Sequence, residues 1–272
     1  MARKHESPSS ILTFKQCPRK YFYRYIAKYP TLSNVHQIRG NIAHKALENF
    51  YDIENGDLDK VGIEDYEIVF RTRIKRLLKK AWFNSMGKFR KIDISRDQHI
   101  FYYRETQQMM QNWISIFFRR LKSRIEKKGS VKDAFLSIVP DREKKLVSDT
   151  FHVLGYIDAI EKHGGKIRIM DYKTSKCSVI NGEHKLQLAI YSLLYYEKFN
   201  IMPDEAGIYF LKHDKQMINV DEELLELARL ECMFIRENTQ DEDIVNYPKK
   251  ESPLCKWSTG QCDFYDICFN GK

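Results

Sequence analysis

Two aspartates and a lysine stand in a pattern that suits phosphate chemistry. Asp158 lies in the run Gly155-Tyr156-Ile157-Asp158-Ala159, and Asp171 and Lys173 flank Tyr172 at the end of Ile167-Arg168-Ile169-Met170-Asp171-Tyr172-Lys173. Both runs read as strands, and Gly164-Gly165 between them signals a hairpin turn. Pairing across that turn brings Asp158 and Asp171 to about the same level. Asp171 and Lys173, two residues apart, leave the same face of their strand. Carboxylates held together on a sheet repel unless a cation lies between them. Mg²⁺ or Mn²⁺ suits such oxygen donors, and an ammonium on the same face can orient an attacking water or offset charge on a phosphate. Taken alone, Asp-x-Lys is also what a surface hairpin with a weak ion pair would show. Two further features accompany it. Gln187 and Tyr191, in Gln187-Leu188-Ala189-Ile190-Tyr191, share one face of a helix, and His44 lies on an upstream helix in Arg39-Gly40-Asn41-Ile42-Ala43-His44.

Six cysteines form the second group with chemistry: Cys17, Cys177, Cys232, Cys255, Cys262 and Cys268. An even count allows a disulfide framework. A chain of 272 residues whose N-terminus turns polar at Ser7-Pro8-Ser9-Ser10 shows no secretion signal, so a soluble, intracellular protein with reduced thiols is expected. Cys255, Cys262 and Cys268 cluster near the end, and Cys17 stands far from them. Cys177 and Cys232 read as ordinary half-buried thiols.

The elements that must position these residues follow from periodicity. With 43% apolar and 13% aromatic residues the chain has ample core and is not an intrinsically disordered one. No apolar run approaches the ~20 residues of a bilayer span. Helices are expected over Ser9 to Tyr29 (with a break at Pro18), Ile42 to Tyr51, Asp65 to Phe83 and Asp97 to Lys127. In the last of these Met110, Ile114, Phe117, Leu121 and Ile125 form an apolar stripe that reads as core. Strands are expected over Phe135 to Val139, over Leu146 to Ile160 with a break near Asp149-Thr150, and over Lys166 to Tyr172. A helix over Leu186 to Phe199, a strand over Ala206 to Leu211 and an acidic helix from Val220 to Asn238, capped by Asp221, follow. This order is that of a mixed α/β core preceded by a helical insertion, forming one body. Its parts are an N-terminal helical segment (1–56), a basic helical insertion (57–129), the α/β core (130–247) and a cysteine-bearing tail (248–272). Between Arg71 and Lys128 there are 17 Lys and Arg against 4 Asp and Glu, a surplus of 13 in a chain whose net charge is +9. Such a concentration suits a polyanion, and it equally suits two solvated helices.

The ordered set Ser9-Ser10-Ile11-Leu12-Thr13-Phe14-Lys15-Gln16-Cys17-Pro18-Arg19-Lys20-Tyr21, Arg39-Gly40-Asn41-Ile42-Ala43-His44, Gly155-Tyr156-Ile157-Asp158, Asp171-Tyr172-Lys173, Gln187-Leu188-Ala189-Ile190-Tyr191 and the terminal cysteines resembles the RecB-type nucleases of the PD-(D/E)xK superfamily. More narrowly it resembles their iron–sulfur branch, which includes exonuclease V, the AddB nuclease domain and the CRISPR-adaptation nucleases. The resemblance spans nearly the whole chain apart from residues 52–129. It implies a restriction-endonuclease-like mixed sheet flanked by helices, and a divalent metal held by His44, Asp158, Asp171 and the backbone carbonyl of Tyr172. Lys173 would then act on the nucleophilic water, while Gln187 and Tyr191 would contact DNA or support the site. It further implies a 4Fe–4S cluster on Cys17, Cys255, Cys262 and Cys268 that joins the two ends of the chain. Six residues separate Cys255 from Cys262 where that branch more often has two, so a bulge at Ser258-Thr259-Gly260 is needed and Zn²⁺ remains an alternative.

The implied activity is a metal-dependent DNA exonuclease acting on single strands or ends, 5′→3′ by family habit, in repair or recombination. Arg71, Arg76, Lys80, Arg120 and Arg124 would follow the phosphate backbone, and Trp82, Phe83 and Phe89 are rings that could stack on unpaired bases. A helicase, a single-strand-binding protein or an integrase would be its partner. The alternatives are a CRISPR-adaptation trimming nuclease and a non-cutting DNA-binding module. A helicase activity in this chain is not expected, since no Gly-x4-Gly-Lys-Ser/Thr loop is present.

Overall fold

The protein is described by a computed structural model over residues 3–258 and 260–271. Ser7 opens the first helix, α1 (Pro8–Gln16), with a capping box: its hydroxyl accepts from the Ser10 N–H while the Ser10 hydroxyl accepts from the Ser7 N–H. Cys17 is extended, and Pro18 starts a second short helix, α2 (Pro18–Tyr21), which runs into a π turn over Phe22–Ile26. The Asn34 capping box starts α3 (Val35–Phe50) two turns ahead of the expected Ile42. Then come α4 (Asn55–Leu58), α5 (Tyr66–Asn84), α6 (Met86–Phe89) and the long α7 (Arg96–Lys128), which ends at Gly129 with a left-handed φ of 72°.

Phe135 to Val139 is not a strand. Ser130 caps a short helix, α8 (Val131–Leu136), and Phe135 stacks on Phe70 beside Phe50 and Phe117. The sheet begins only at β1 (Asp141–Ser148), followed by β2 (Val153–His163) and β3 (Lys166–Lys173). Gly164 and Gly165, at φ 59° and 77°, make the expected turn, a conformation that side chains resist. Helix α9 (Gly182–Phe199) crosses over to β4 (Glu205–Phe210), which lies parallel to β3. An unexpected edge strand, β5 (Lys215–Asn219), pairs antiparallel with β4. Its sequence, Lys-Gln-Met-Ile-Asn, is too polar to show an apolar run, as suits an edge. Helix α10 (Glu222–Asn238), capped by Asp221, precedes a tail with two-residue strands β6 (Lys256–Trp257) and β7 (Gly260–Gln261) and helix α11 (Tyr265–Asn270).

The five main strands form one mixed sheet in the order β1-β2-β3-β4-β5, with only β3 and β4 parallel. It is an α/β fold with the sheet between two apolar cores. On one side Ala159, Met170, Tyr172 and Tyr209 pack with α3, α5 and α7. On the other, Val153, Ile157, Ile160, Ile169 and Ile208 pack with α1, α9 and α10. The helical insertion therefore shares its core with the sheet. Gly155 lets α9 approach β2 closely, since a Cβ there would sit 2.9 Å from Leu194 and from the Tyr191 ring. That contact fixes the helix face carrying Gln187 and Tyr191. No helix among the described residues is long and apolar enough to cross a membrane.

Candidate active site

Three elements converge at the C-terminal end of β3. The ladder between β2 and β3 runs as far as Ala159 opposite Met170 and then changes character. Asp158 turns its Oδ2 onto the backbone instead, accepting from the Tyr172 N–H at 2.7 Å. The pleat is disturbed here: Ile157 and Ile160 both face the α9 core while Ala159 belongs to the other. Across the sheet from α9, His44 of α3 points one ring nitrogen, Nδ1, at Asp158 Oδ1 (3.1 Å) and the other, Nε2, at the Tyr172 carbonyl (2.9 Å). Two acceptors on one imidazole favour its cation. Burial opposes that charge, yet Asp158 and Asp171 carry His44 up to about 9.

Asp171 is buried, and its carboxyl is pushed up from the usual range by burial, against the pull of Lys173 and with Asp158 adding repulsion. Its Oδ1 accepts from Gln187 Nε2 at 2.9 Å. Its Oδ2 faces the Lys173 ammonium at 2.8 Å without the alignment of a hydrogen bond. Lys173 donates to Gln187 Oε1 at 2.8 Å, and Gln187 Nε2 is 3.0 Å from the Tyr191 hydroxyl. Gln187 thus bridges the acid and the base of Asp-x-Lys, and Tyr191, with its own hydroxyl pushed up by burial, steadies Gln187.

Glu143, which the sequence reading did not single out, belongs to the same cluster. Ligand atoms of His44, Glu143 and Asp158 lie within 4.8 Å of one another, the one such group of three among the described residues. Residue numbers of β1–β2 partners add to 301, so Glu143 stands across from Asp158. It adopts a left-handed φ of 47°, rare for a glutamate, and burial and Asp158 push its carboxyl up. The break expected near Asp149-Thr150 marks the loop, but the expected strand begins only at Leu146, and the pairing follows from a four-residue loop that joins Ser148 to Val153.

These donors fit a hard divalent cation. They are carboxylate oxygens, a carbonyl and an imidazole, and Asp171 keeps one buried oxygen outside any hydrogen bond. Two ligands at right angles, each about 2.1 Å from one octahedral ion, are about 3 Å apart. An imidazole gives one ion a single nitrogen, and either choice leaves a spacing of that size: Nδ1 to Asp158 at 3.1 Å or Nε2 to the Tyr172 carbonyl at 2.9 Å.

The cysteines expected to act together also meet. Cys17, at the junction of α1 and α2, lines one cavity with Cys255, Cys262 and Cys268. The tail is tied to the N-terminal helices by Arg19 Nε donating to the Tyr247 carbonyl (2.6 Å) and Lys250 donating to the Lys15 carbonyl (3.1 Å). The Cys262 N–H donates to the Cys255 carbonyl at 2.9 Å, closing the segment between them. Within the expected bulge, Thr259 lies outside the described residues. Cys232 is buried in α10, its thiol pushed up to about 12 by burial, and Cys177 donates to the Val179 carbonyl.

The basic insertion divides. Arg76 and Lys80 are exposed on α5. Arg71 is partly buried, donates to Gln111 and lies over the Phe118 ring. Arg120 does not face solvent: it is ion-paired with the buried Glu161 of β2, beside the Tyr209 hydroxyl, and braces α7 on the sheet. Its place in the basic stretch says nothing of a partner 41 residues away. Arg124 is half-buried and not free. Of the three rings, Trp82 and Phe89 are buried against each other, and only Phe83 points outward.

A family model described as the PD-(D/E)XK nuclease superfamily matches residues 5–269. Among solved structures, one from Eubacterium rectale described as that of a presumed exonuclease is similar, with a TM-score of 0.49 and 9% identity over 93% of this chain and 86% of that chain. No curated protein matches the sequence.

Proposed function

The chain belongs to the PD-(D/E)XK nuclease superfamily, and from that premise we propose that it is a divalent-metal-dependent deoxyribonuclease, an exonuclease working on single strands or DNA ends. The observation that carries this reading is that His44 and Asp158, bonded to the backbone of Tyr172, stand beside the Asp171–Lys173 ion pair on either side of that residue, from α3, β2 and β3. A non-cutting DNA-binding module would have no use for buried carboxylates facing a polyanion.

His44, Asp158, Asp171 and the Tyr172 carbonyl would hold Mg²⁺ or Mn²⁺, with Glu143 a further carboxylate within reach beside His44 and Asp158. Such an ion, when bound, acidifies a water and offsets charge on the scissile phosphate. The chain's own groups do the rest. Lys173, kept in place by Gln187 and Asp171, presents a cation beside the attacking water and the phosphate oxygens. Gln187 holds Asp171 from the opposite side, and the Tyr172 N–H fixes the rotamer of Asp158. Water's oxygen forms the new bond to phosphorus, its proton is released, and the bond to the leaving strand's oxygen breaks.

The cysteine cavity is read as the seat of a 4Fe–4S cluster that holds the chain ends together, in a nuclease of DNA repair or recombination. Its support is the meeting of all four cysteines from opposite ends of the chain. A brown protein containing iron and sulfide supports the cluster; a colourless one with stoichiometric zinc rejects it.

End-labelled single-stranded DNA tests the activity and its polarity together. Mn²⁺-dependent shortening from one end, abolished in Asp171→Ala and with binding retained, is the expected result. Cutting of equal strength by that variant overturns the assignment.

A further inference from the structure

A cavity of about 670 Å³ lies between the last turns of α5 and the first turns of α7, outside the carboxylate cluster. Four cations line it, Arg76, Lys79, Lys80 and Arg104, and no carboxylate does. All four are exposed, and none makes an ion pair or hydrogen bond among the described residues. Three other arginines of the same helices are differently placed. Arg73 donates to the carbonyls of Asn49 and Phe50, Arg119 lies 3.8 Å from Asp214, and Arg120 holds Glu161. Four of the insertion's unpaired cations are thus gathered around one opening.

The cavity's apolar part is aromatic. Phe83 is 76% exposed at the rim, although a ring in water is costly to leave uncovered. Tyr103 meets the Trp82 ring at 5.1 Å, and Trp82 is itself fixed by donating to His99 Nε2 at 3.2 Å. The walls behind Phe83 are therefore rigid while its own face is open.

Position links the cavity to the catalytic end of β3. Glu105, next to Arg104 on α7, is ion-paired with both Arg39 and Lys212. Arg39 also donates to the carbonyl of Thr174, the residue after Lys173. The cavity thus adjoins, along α7, the clamp that closes over the end of β3.

We propose that this cavity binds an unpaired nucleotide of the substrate strand, with the base stacked on Phe83 and the flanking phosphates on Arg76, Lys79, Lys80 and Arg104. The proposal rests on the reading of the chain as a nuclease of single strands. An unpaired base has a free π face and an anionic neighbour on each side, which matches an open ring fringed by unpartnered cations. In duplex the faces are already stacked. An apolar peptide would leave four cations desolvated and unpaired.

Binding is measured in EDTA, by fluorescence anisotropy of a labelled short oligothymidylate and of a duplex of equal length. Phe83→Ala is expected to weaken oligothymidylate binding about tenfold, and Phe83→Tyr to keep it. Arg76→Gln with Lys80→Gln should lower the salt slope by about one to two. Duplex binding should be weaker and indifferent to Phe83. An alanine variant that binds oligothymidylate like the wild type, or that loses duplex binding equally, overturns the proposal. Since Phe83 is exposed, its variants should melt with the wild type. A wild type that binds in EDTA yet cuts nothing with Mn²⁺ sinks the nuclease reading and leaves this site standing; an effect of Phe83 on neither ligand sinks the site whatever the cutting.

Discussion

The two candidate metal centres are built in opposite ways. Around His44, Asp158 and Asp171 the groups sit on a sixteen-residue helix and two long strands, and each is held by hydrogen bonds within the protein. Around Cys17, Cys255, Cys262 and Cys268 the supports on the C-terminal side are two-residue strands and a six-residue helix. The first centre is organised by the fold. The second, if it binds a cluster, organises the fold in return, because its ligands join positions 17 and 255 across nearly the whole chain. The difference teaches where each should fail: the first in chemistry, the second in stability.

The largest effect that would sharpen this contrast is on stability. Cys17→Ala should lower unfolding free energy in urea on the order of 3–5 kcal/mol, by analogy with opening a long cross-linked loop. An unchanged midpoint would erase the contrast. Lys173→Ala should instead cut DNA degradation about 10²–10³-fold while its melting stays close to the wild type's; a large drop in melting temperature would show that the carboxylate centre is also structural. Glu143→Gln should weaken Mn²⁺ binding, read by calorimetry, about tenfold, and unaltered affinity would remove Glu143 from the centre. The smallest effect is a slope. His44 keeps its proton up to about 9 in the metal-free protein, and a metal must displace it. Mn²⁺ affinity should therefore climb with pH by up to about tenfold per unit until about 9, and His44→Asn should flatten the climb. The metal-free protein carries the opposite dependence: the stabilisation from the charged His44 is complete below the ordinary histidine range and is lost as pH rises through about 9.

What the sequence disclosed follows the same division. The level of Asp158 and Asp171 could be read because Gly164-Gly165 marks the turn and the strand period does the rest. Glu143 lies ahead of the strand expected from Leu146, in Arg142-Glu143-Lys144-Lys145, where a lone acid among bases looks like surface, and its pairing needs the register of β1 on β2. Phe135 to Val139 misled because a short apolar run is the same on a buried helix end as on a strand, and the cap at Ser130 was the deciding residue. The inward turn of Arg120 onto Glu161 could not be read, since choosing a partner between a helix and a strand requires the packing of α7 on the sheet.

The backbone of one residue has an outcome for how this protein can vary. Position 172 reaches the cluster through its amide N–H to Asp158 and its carbonyl to His44, while its phenol ring stacks on Tyr209 and meets the His44 ring edge-on at 5.9 Å. Every amino acid but proline offers those same two atoms. Side-chain scanning at this position therefore leaves those two backbone atoms in place and reads only the packing of the ring on Tyr209 and His44.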